Sequence, residues 1–387
     1  MRATVYADNA ATTQLSKRTL DAMLPFLKNS YGNASGLYSY GREARFAVEN
    51  ARKTVANVLG AETDEIYFTS GGTESDNWAL RGIAERYTRG HMITTCIEHH
   101  AILHTMRHLE RRGFDITYLP VDRYGQISLN AVEQEIRDDT ILISVMAANN
   151  EIGTIMPIKD IGAIAHKHGV LFHTDAVQAA GHIPMDVNEL NIDMLSLSSH
   201  KFHGPKSCGV LYIRKVIEAE PLICGGGQER GMRAGTENVA GIVGLAASLE
   251  EASGRMVSDM SKVTAMRDRL ISGIMQKVPG CYLTGSKDFR LPGIASFVFE
   301  GIEGNALIFM LDKAGICAST GSACTSGSLE PSHVLTSIGL PPQLALGSLR
   351  LSIGRYTSEE DISYILDVLP DIIKCLRKTS PHWKNLA

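Results

Sequence analysis

Lys201 is the residue whose sequence neighbours most favour covalent chemistry. It lies in SSHKFHGPK (198–206), between two histidines, after an apolar run and before a Gly-Pro pair. A lysine that is partly buried at a sheet edge has a lowered pKa, and its amine can form a Schiff base with an aldehyde. Taken alone, the motif also fits a solvated surface lysine after a strand.

Asp175 follows a second run of β-branched and aromatic residues, in HTDAVQAAG (173–181). A carboxylate at that strand end would be poorly solvated, and a pyridoxal ring needs such an acid beside its nitrogen to keep that nitrogen protonated. Gln178 would reach the ring hydroxyl. A helix N-cap is the alternative role for Asp175.

A third strand exit, SGGTESDN (70–77), combines two glycines with hydroxyl and acidic side chains. Gly72 allows close backbone approach, and Thr73 with Asp76 three residues later predicts a capping box at a helix start. The free N–H groups of that helix start, with the Thr73 hydroxyl, form an anion seat suited to a phosphate. A Gly-Gly turn by itself is weak support for such a seat.

Three more polar residues occupy positions from which they would face the same site. His99 in EHHA opens a predicted helix and would stack on a cofactor ring and move a proton, although a plain helix-start histidine fits equally. Asn150 in AANNEIG ends a predicted strand and would bond a ring or substrate oxygen. Arg350 in LRLSIGR is a candidate fork for a substrate carboxylate, with an edge-strand salt bridge as a comparable alternative.

Cys324 is the candidate nucleophile. It lies in STGSACTSGS (319–328), a composition of small and polar residues that favours an exposed, mobile loop. Structural cysteines are usually buried among apolar residues, which these neighbours are not. An exposed thiol that forms a thiolate is reactive.

These motifs follow strands of a predicted α/β domain. β-rich runs at 65–69, 92–95, 115–119, 141–146, 170–174, 193–198 and 209–213 alternate with likely helices near 73–88, 100–112, 129–137 and 157–168. That alternation predicts a mostly parallel sheet, and ligands bind at the carboxyl ends of such strands. A long helix (about 238–278), strands at 294–300 and 349–353 and a final helix after Thr357 predict a smaller α/β domain. The N-terminus would pack with one of the two domains.

Composition excludes several classes of protein. The 387 residues carry a formal net charge of -4, so the charge balance offers no reason to expect nucleic-acid binding. No apolar stretch approaches the roughly 18–20 residues of a membrane span, and the N-terminus lacks a signal-peptide pattern. The seven cysteines are scattered, without a CxxC pair, which favours a reducing compartment over disulfides or a zinc site. We therefore expect a cytoplasmic protein.

Taken together, the motifs resemble the cysteine desulfurases of the NifS/IscS type over essentially the whole chain. The matching segments are YADNAATT (6–13), YGNAS (31–35), TSGGTESDN, EHHA, AANNEIGT, HTDAVQAAG, SSHKFHGPK, GGGQERGMRAGTEN (225–238), STGSACTSGSLEPSHVL (319–335) and LRLSIGRYT (349–357). The resemblance implies the fold of fold-type I pyridoxal-phosphate transferases. It also implies a large domain at 15–255 and a small domain at 1–14 and 256–387, which would carry the cysteine loop.

The resemblance also assigns roles to individual residues. Pyridoxal 5'-phosphate would be bound covalently by Lys201, with Asp175 at the ring nitrogen, Gln178 at the ring hydroxyl and His99 on the ring. The remaining implied contacts are Gly72, Thr73, Ser198 and His200 at the phosphate, Thr236 at the phosphate of the partner subunit in a homodimer, and Asn33, Asn150 and Arg350 at the substrate. Cys324 would accept the sulfur of L-cysteine, leave alanine, and pass the sulfur to an iron–sulfur scaffold or a tRNA-thiolation enzyme.

The chain departs from the family pattern in two places. Ala34, Ser35, Gly36 and Tyr38 replace the usual Pro-Ser-Ser and the histidine two residues later, and Ser207 with Cys208 replaces a glycine-rich pair. The first departure bears on substrate preference or rate. A selenocysteine lyase or aminotransferase of the same fold is the rival activity, and a catalytically silent scaffold is the rival class. The presence of both Lys201 and Cys324 favours desulfuration.

Overall fold

The structure is a computed structural model that describes residues 4–321, 330–380 and 383. The helices of the described residues are α1 (Lys17–Lys28), α2 (Ser39–Leu59), α3 (Gly72–Ala84), α4 (His100–Glu110), α5 (Leu129–Gln134), α6 (Ile158–Lys167), α7 (Val239–Lys277), α8 (Gly304–Lys313), α9 (His333–Ser337), α10 (Pro342–Ala345) and α11 (Glu359–Thr379). The strands are β1 (Val5–Tyr6), β2 (Ile66–Thr69), β3 (His91–Thr95), β4 (Asp115–Leu119), β5 (Thr140–Ser144), β6 (Leu171–Asp175), β7 (Met194–Ser198), β8 (Gly209–Ile213), β9 (Cys281–Leu283), β10 (Ile294–Phe299), β11 (Ile316–Cys317) and β12 (Ser348–Ser352).

A seven-stranded sheet forms the centre of the molecule, in the order β2-β8-β7-β6-β5-β3-β4. The strands from β7 to β4 in this order are parallel to one another. β8 runs antiparallel to both of its neighbours, β2 and β7. The predicted mostly parallel sheet is therefore confirmed, with each of the seven predicted runs forming one strand. β8 is antiparallel because only residues 199–208 separate it from β7, too few for the crossover helix that a parallel return requires.

Two buried apolar clusters stabilise the chain, one on the seven-stranded sheet and one on a three-stranded sheet of order β12-β10-β9. Helix α7 belongs to both, since Leu249 packs in the first cluster and Met266 in the second. The N-terminus lies beside the smaller sheet, because β1 pairs with β11 and Asp8 forms a bridge with Ser352. The domain boundary at residues 255/256 stays a prediction.

The start of α3 differs from the sequence prediction. The helix begins at Gly72 with Gly71 as its N-cap, and no side chain caps it, so the predicted Thr73–Asp76 capping box is wrong. Glu74 instead accepts a hydrogen bond from the Ser70 N–H at 3.0 Å. Because no side chain caps α3, its first-turn N–H groups can face a ligand.

Within residues 4–321, 330–380 and 383, no helix combines the length and apolar character needed to traverse a bilayer.

Candidate functional site

A cavity of about 440 Å³ opens at the carboxyl ends of the central strands. Its walls come from segments far apart in sequence because parallel strands end at a common edge. The predicted site residues that line it are Gly72, Thr73, His99, Asn150, Asp175, Gln178, Ser198, His200, Lys201 and Arg350. Ala10, Ala11, Met146 and Gly321 complete much of the remaining wall.

The Lys201 side chain reaches this cavity from the connection between β7 and β8. Its Nζ donates hydrogen bonds to the carbonyl oxygens of Ala10 and Ala11, at 2.7 and 2.8 Å. His182 Nε2 donates to the Lys201 carbonyl at 3.0 Å and so holds the backbone from beneath. The amine is thus positioned at the cavity wall by backbone groups, and this excludes the alternative of a lysine directed into solvent.

Asp175 ends strand β6 and is buried. Its Oδ1 accepts a hydrogen bond from the Val177 N–H at 2.9 Å, which stabilises a turn, because no helix follows directly. Burial raises the pKa of Asp175 to about 6, and the nearby Lys201 charge opposes that rise. A cation placed against this carboxylate would keep it ionised.

A second acid, Asp76, lies beside Asp175 at the base of the cavity. One side-chain ligand atom each of Asp76, Asp175 and His99 lie within 4.8 Å of one another. Asp76 Oδ1 is buried and has no hydrogen-bond partner among the described residues, and burial together with the Asp175 charge raises the pKa of Asp76. The sequence reasoning assigned Asp76 only to a helix cap, because nothing local indicates that the carboxyl turns inward.

His99 is the N-cap of α4, and its ring faces the cavity. Its Nδ1 accepts a hydrogen bond from the Ala101 N–H at 3.1 Å, which places the proton of a neutral ring on Nε2. Burial, reinforced by the Lys201 charge, lowers the pKa of His99 to about 4. His99 therefore both starts α4, as the alternative had it, and lines the cavity.

The start of α3 has features that suit the binding of an anion. The backbone of Gly71 has φ 147°, and a Cβ on Gly72 would lie 2.5 Å from Cγ2 of Val177. Ser198 is buried against these glycines, and His200 Nδ1 lies 3.1 Å from the Thr12 hydroxyl. Free N–H groups, hydroxyls and an imidazole around a helix start suit a phosphate.

Arg350 lies in β12 and is only 2% exposed. Its Nη1 donates to the Asn150 carbonyl at 2.9 Å, and its Nη2 pairs with Asp8 Oδ1 at 2.8 Å. Its Nε is buried without a hydrogen-bond partner among the described residues. The salt bridge that we considered as an alternative is present, and the guanidinium nevertheless lines the cavity. No local sequence pattern pointed to Asp8.

Three predicted site residues do not join this group in the described chain. Asn33 is exposed and accepts a hydrogen bond from the Ser35 N–H at 2.9 Å, and Thr236 is also exposed. Neither lines the cavity. Cys324 lies outside the described residues. Their roles stay predictions.

The departures from the family pattern lie outside the cavity lining. Tyr38 is 61% exposed and precedes α2, whereas Ala34 is buried. Ser207 has φ 59°, a left-handed conformation that favours glycine. Cys208 is buried and receives a hydrogen bond from the Asn238 amide. None of these four lines the cavity.

Comparisons with known proteins agree with this geometry. The family model described as aminotransferase class-V matches residues 5–365. A cysteine desulfurase IscS of Methanosarcina thermophila is 54% identical over 379 residues, covering 97% of this chain and 94% of the relative. A cysteine desulfurase IscS of Clostridium botulinum is 53% identical over 389 residues, covering 100% and 98%.

Solved structures show the same similarity. A NifS-like protein superposes with a TM-score of 0.91 at 41% identity, covering 96% of this chain and all of that one. SspA in complex with cysteine superposes with a TM-score of 0.82 at 38% identity, covering 92% of this chain and 100% of that chain.

Proposed function

The chain belongs to the class-V aminotransferase family, and from that premise we propose that it is a cysteine desulfurase dependent on pyridoxal 5'-phosphate. The observation that carries the proposal is the convergence of Lys201, Asp175, His99 and Arg350 on one cavity. The relatives of known activity are named cysteine desulfurases, and one similar solved structure contains cysteine.

The residues present fit the cofactor. Asp175 is a buried carboxylate suited to a protonated ring nitrogen, Lys201 offers an amine to the aldehyde, and the glycine-lined start of α3 would hold the phosphate. Gln178 and His99 would contact the ring. When bound, pyridoxal phosphate supplies an electron sink that acidifies the Cα–H of an amino acid and weakens its Cβ–S bond.

Arg350 and Asn150 orient the substrate. The buried Nε of Arg350 has no hydrogen-bond partner in the described chain, and a carboxylate offers the acceptor that this N–H needs. Asp8 and the Asn150 carbonyl hold the guanidinium in place through Nη2 and Nη1. A substrate carboxylate bound here would lie in the cavity that Lys201 also lines.

Two side chains carry protons during the reaction. Lys201 Nζ removes the proton from the substrate Cα and returns one as alanine forms. His99 is neutral near pH 7 because burial lowers its pKa to about 4, and its Nε2–H is the group that can donate into the cavity. A neutral donor there assists proton traffic without adding a charge beside Lys201.

Cys324 completes the reaction as the sulfur acceptor. Its thiolate attacks the substrate sulfur, a new S–S bond forms, and the Cβ–S bond breaks with its electron pair remaining on the carbon side. The products are L-alanine and a persulfide on Cys324, so the oxidation of sulfur is balanced by the reduction of Cβ. The persulfide is then passed to an acceptor, either an iron–sulfur scaffold or a tRNA-thiolation enzyme. A reducing, cytoplasmic location suits this chemistry.

We further propose a homodimer in which Thr236 of each subunit reaches the phosphate of the other. Thr236 is exposed and does not line the cavity of its own chain. The segment before it is anchored by a buried ion pair between Glu229 and Arg52, at 2.7 and 2.8 Å. Such anchoring would present Thr236 in a defined position.

The test is turnover of L-cysteine by the holoenzyme with a thiol reductant, measured as sulfide and alanine released. Cys324→Ala should retain the cofactor absorbance and release almost no sulfide, whereas Lys201→Ala should lose turnover. Cys375→Ala, which removes an exposed thiol on α11, is the matched control and should behave as wild type. Normal turnover by Cys324→Ala would refute the nucleophile assignment.

A further inference from the structure

Glu151 is a buried acid that the reaction above does not use. It follows Asn150 directly and is 6% exposed, and its N–H donates to Asn149 Oδ1 at 2.9 Å. Burial raises the pKa of Glu151 to about 7, against the effect of the Arg350 charge. A buried acid of this kind needs polar partners, and its main side-chain partner comes from a distant part of the chain.

That partner is Ser332, whose Oγ donates to Glu151 Oε2 at 2.5 Å. Ser332 also caps α9, since its Oγ accepts from the N–H groups of Val334 and Leu335. The carboxylate of Glu151 is therefore tied to the residue from which the chain enters α9.

Gly321 also lies close to Glu151 Oε2. A Cβ at this position would lie 2.6 Å from Glu151 Oε2, a separation that real Cβ atoms do not show. The absence of a side chain is what lets this backbone pack on the carboxylate. Gly321 also lines the substrate cavity.

Gly321 and Ser332 flank the stretch that carries the sulfur-accepting cysteine. Residues 322–331 separate them, and Cys324 is the third of these. One carboxylate oxygen thus contacts both ends of the cysteine stretch, and it belongs to the residue next to Asn150 on the cavity rim.

Further contacts attach each end to the rim independently. On the N-terminal side, the Arg350 N–H donates to the Ser319 carbonyl at 2.6 Å. On the C-terminal side, His333 Nε2 donates to the Glu98 carbonyl at 3.0 Å, beside His99. The N-terminal end is therefore attached to β12, which carries Arg350. The C-terminal end is attached to Glu98, the residue before His99.

We propose, on the basis of the function above, that Glu151 is a positioning residue that joins both ends of the cysteine stretch to the rim of the substrate cavity. Whether a residue between two fixed positions of a chain can reach a site depends on where those two positions are held. Loss of the Glu151–Ser332–Gly321 contact would therefore slow sulfur transfer to Cys324 and leave the earlier binding of L-cysteine unchanged.

The experiment separates these two steps in the holoenzyme. Glu151→Ala should lower kcat for sulfide release about tenfold and alter the rate at which iodoacetamide alkylates Cys324, measured by peptide mass spectrometry. Glu151→Gln retains an acceptor oxygen for Ser332 and should keep most of the activity. In a Cys324→Ala background, where turnover is blocked, the Glu151→Ala change should alter the L-cysteine dissociation constant, read from cofactor absorbance, less than twofold.

A double-mutant comparison tests the partner. Ser332→Ala removes the same hydrogen bond, so Glu151→Ala/Ser332→Ala should be no slower than the slower single variant. Ser332→Ala also loses a helix cap, for which Ser358→Ala at the N-cap of α11 is the matched control and should leave kcat unchanged. Gly321→Ala, which displaces the carboxylate from the other side, should reduce kcat as Glu151→Ala does.

Two results would overturn the inference. The first is an unchanged kcat and alkylation rate in Glu151→Ala. The second is a rise in the L-cysteine dissociation constant equal to the loss in kcat/KM, which would mean that Glu151 acts through Arg350. Failure of the proposed function would be recognised separately, as sulfide release that persists in Cys324→Ala.

Discussion

Glu98 allows a quantitative test of how the cavity wall is stabilised. It is fully buried directly before His99, and its carboxyl accepts hydrogen bonds from the Thr95 hydroxyl at 2.7 Å and from the Met146 N–H at 3.0 and 3.1 Å. Burial raises the pKa of Glu98 from 4.5 to about 8. The perturbation is Glu98→Gln, which keeps the shape and an acceptor oxygen and removes the ionisable group.

The size and sign of the effect follow from proton linkage. Between pH 4.5 and about 8 the folded chain holds a proton on Glu98 that the unfolded chain has released. The stabilisation is therefore complete below pH 4.5 and is lost as the pH rises through 8. The rise in the pKa of Glu98 from 4.5 to about 8 corresponds to an upper limit of about 5 kcal/mol in the free energy of unfolding.

Urea unfolding of wild type and Glu98→Gln at pH 5.5, 7 and 9 measures this contribution. Glu151 is present in both proteins and its raised pKa does not depend on Glu98, so its contribution cancels in the difference. The stability of the variant relative to wild type should rise by several kcal/mol from pH 5.5 to pH 9. Glu303→Gln, at an exposed position, should parallel wild type. If the Glu98→Gln curve also paralleled wild type, the reasoning from burial would be refuted.

Three further predictions concern the supports of the site. Glu229→Gln removes the buried ion-pair partner of Arg52 and leaves only the exposed Glu49, so it should cost about 3 kcal/mol of unfolding free energy, measured in urea; a cost below about 1 kcal/mol would contradict the prediction. Gly72→Ala places a methyl group against Val177 and should weaken binding of pyridoxal phosphate at least tenfold in spectrophotometric titration, with affinity recovering in Gly72→Ala/Val177→Ala if the clash is the cause. Arg350→Lys keeps the charge but loses the fork, so KM for L-cysteine should rise about tenfold in steady-state assays, and an unchanged KM would remove Arg350 from the substrate site.

Features specified within one short segment were predictable from the sequence. The runs at 115–119 and 209–213 form strands at those residues, because a short run of β-branched and aromatic residues already favours an extended, buried conformation. Lys201 and Asp175 were identified because each immediately follows such a run. Parallel strands that end at one sheet edge then bring both residues to one cavity.

The prediction for the start of α3 shows the limit of local patterns. A Thr followed by an acid three residues later is typical of a capping box, yet the helix begins before Thr73 and Asp76 turns inward beside Asp175. The buried position of Asp76 beside Asp175 outweighs the local capping preference. The residues next to Asp76 in the sequence do not indicate this position, because Asp175 lies far away along the chain.

The sequence by itself determined the α/β fold class, the family, and the chemical types of the groups that the cavity collects. Only the tertiary structure decided that Asp8 pairs with Arg350, and that Glu151 meets both Gly321 and Ser332. The physical reason is the range of the interactions: hydrophobic periodicity and turn preferences act over a few residues. A contact between residues some 340 positions apart exists only once both sheets have packed and the chain ends have been brought together.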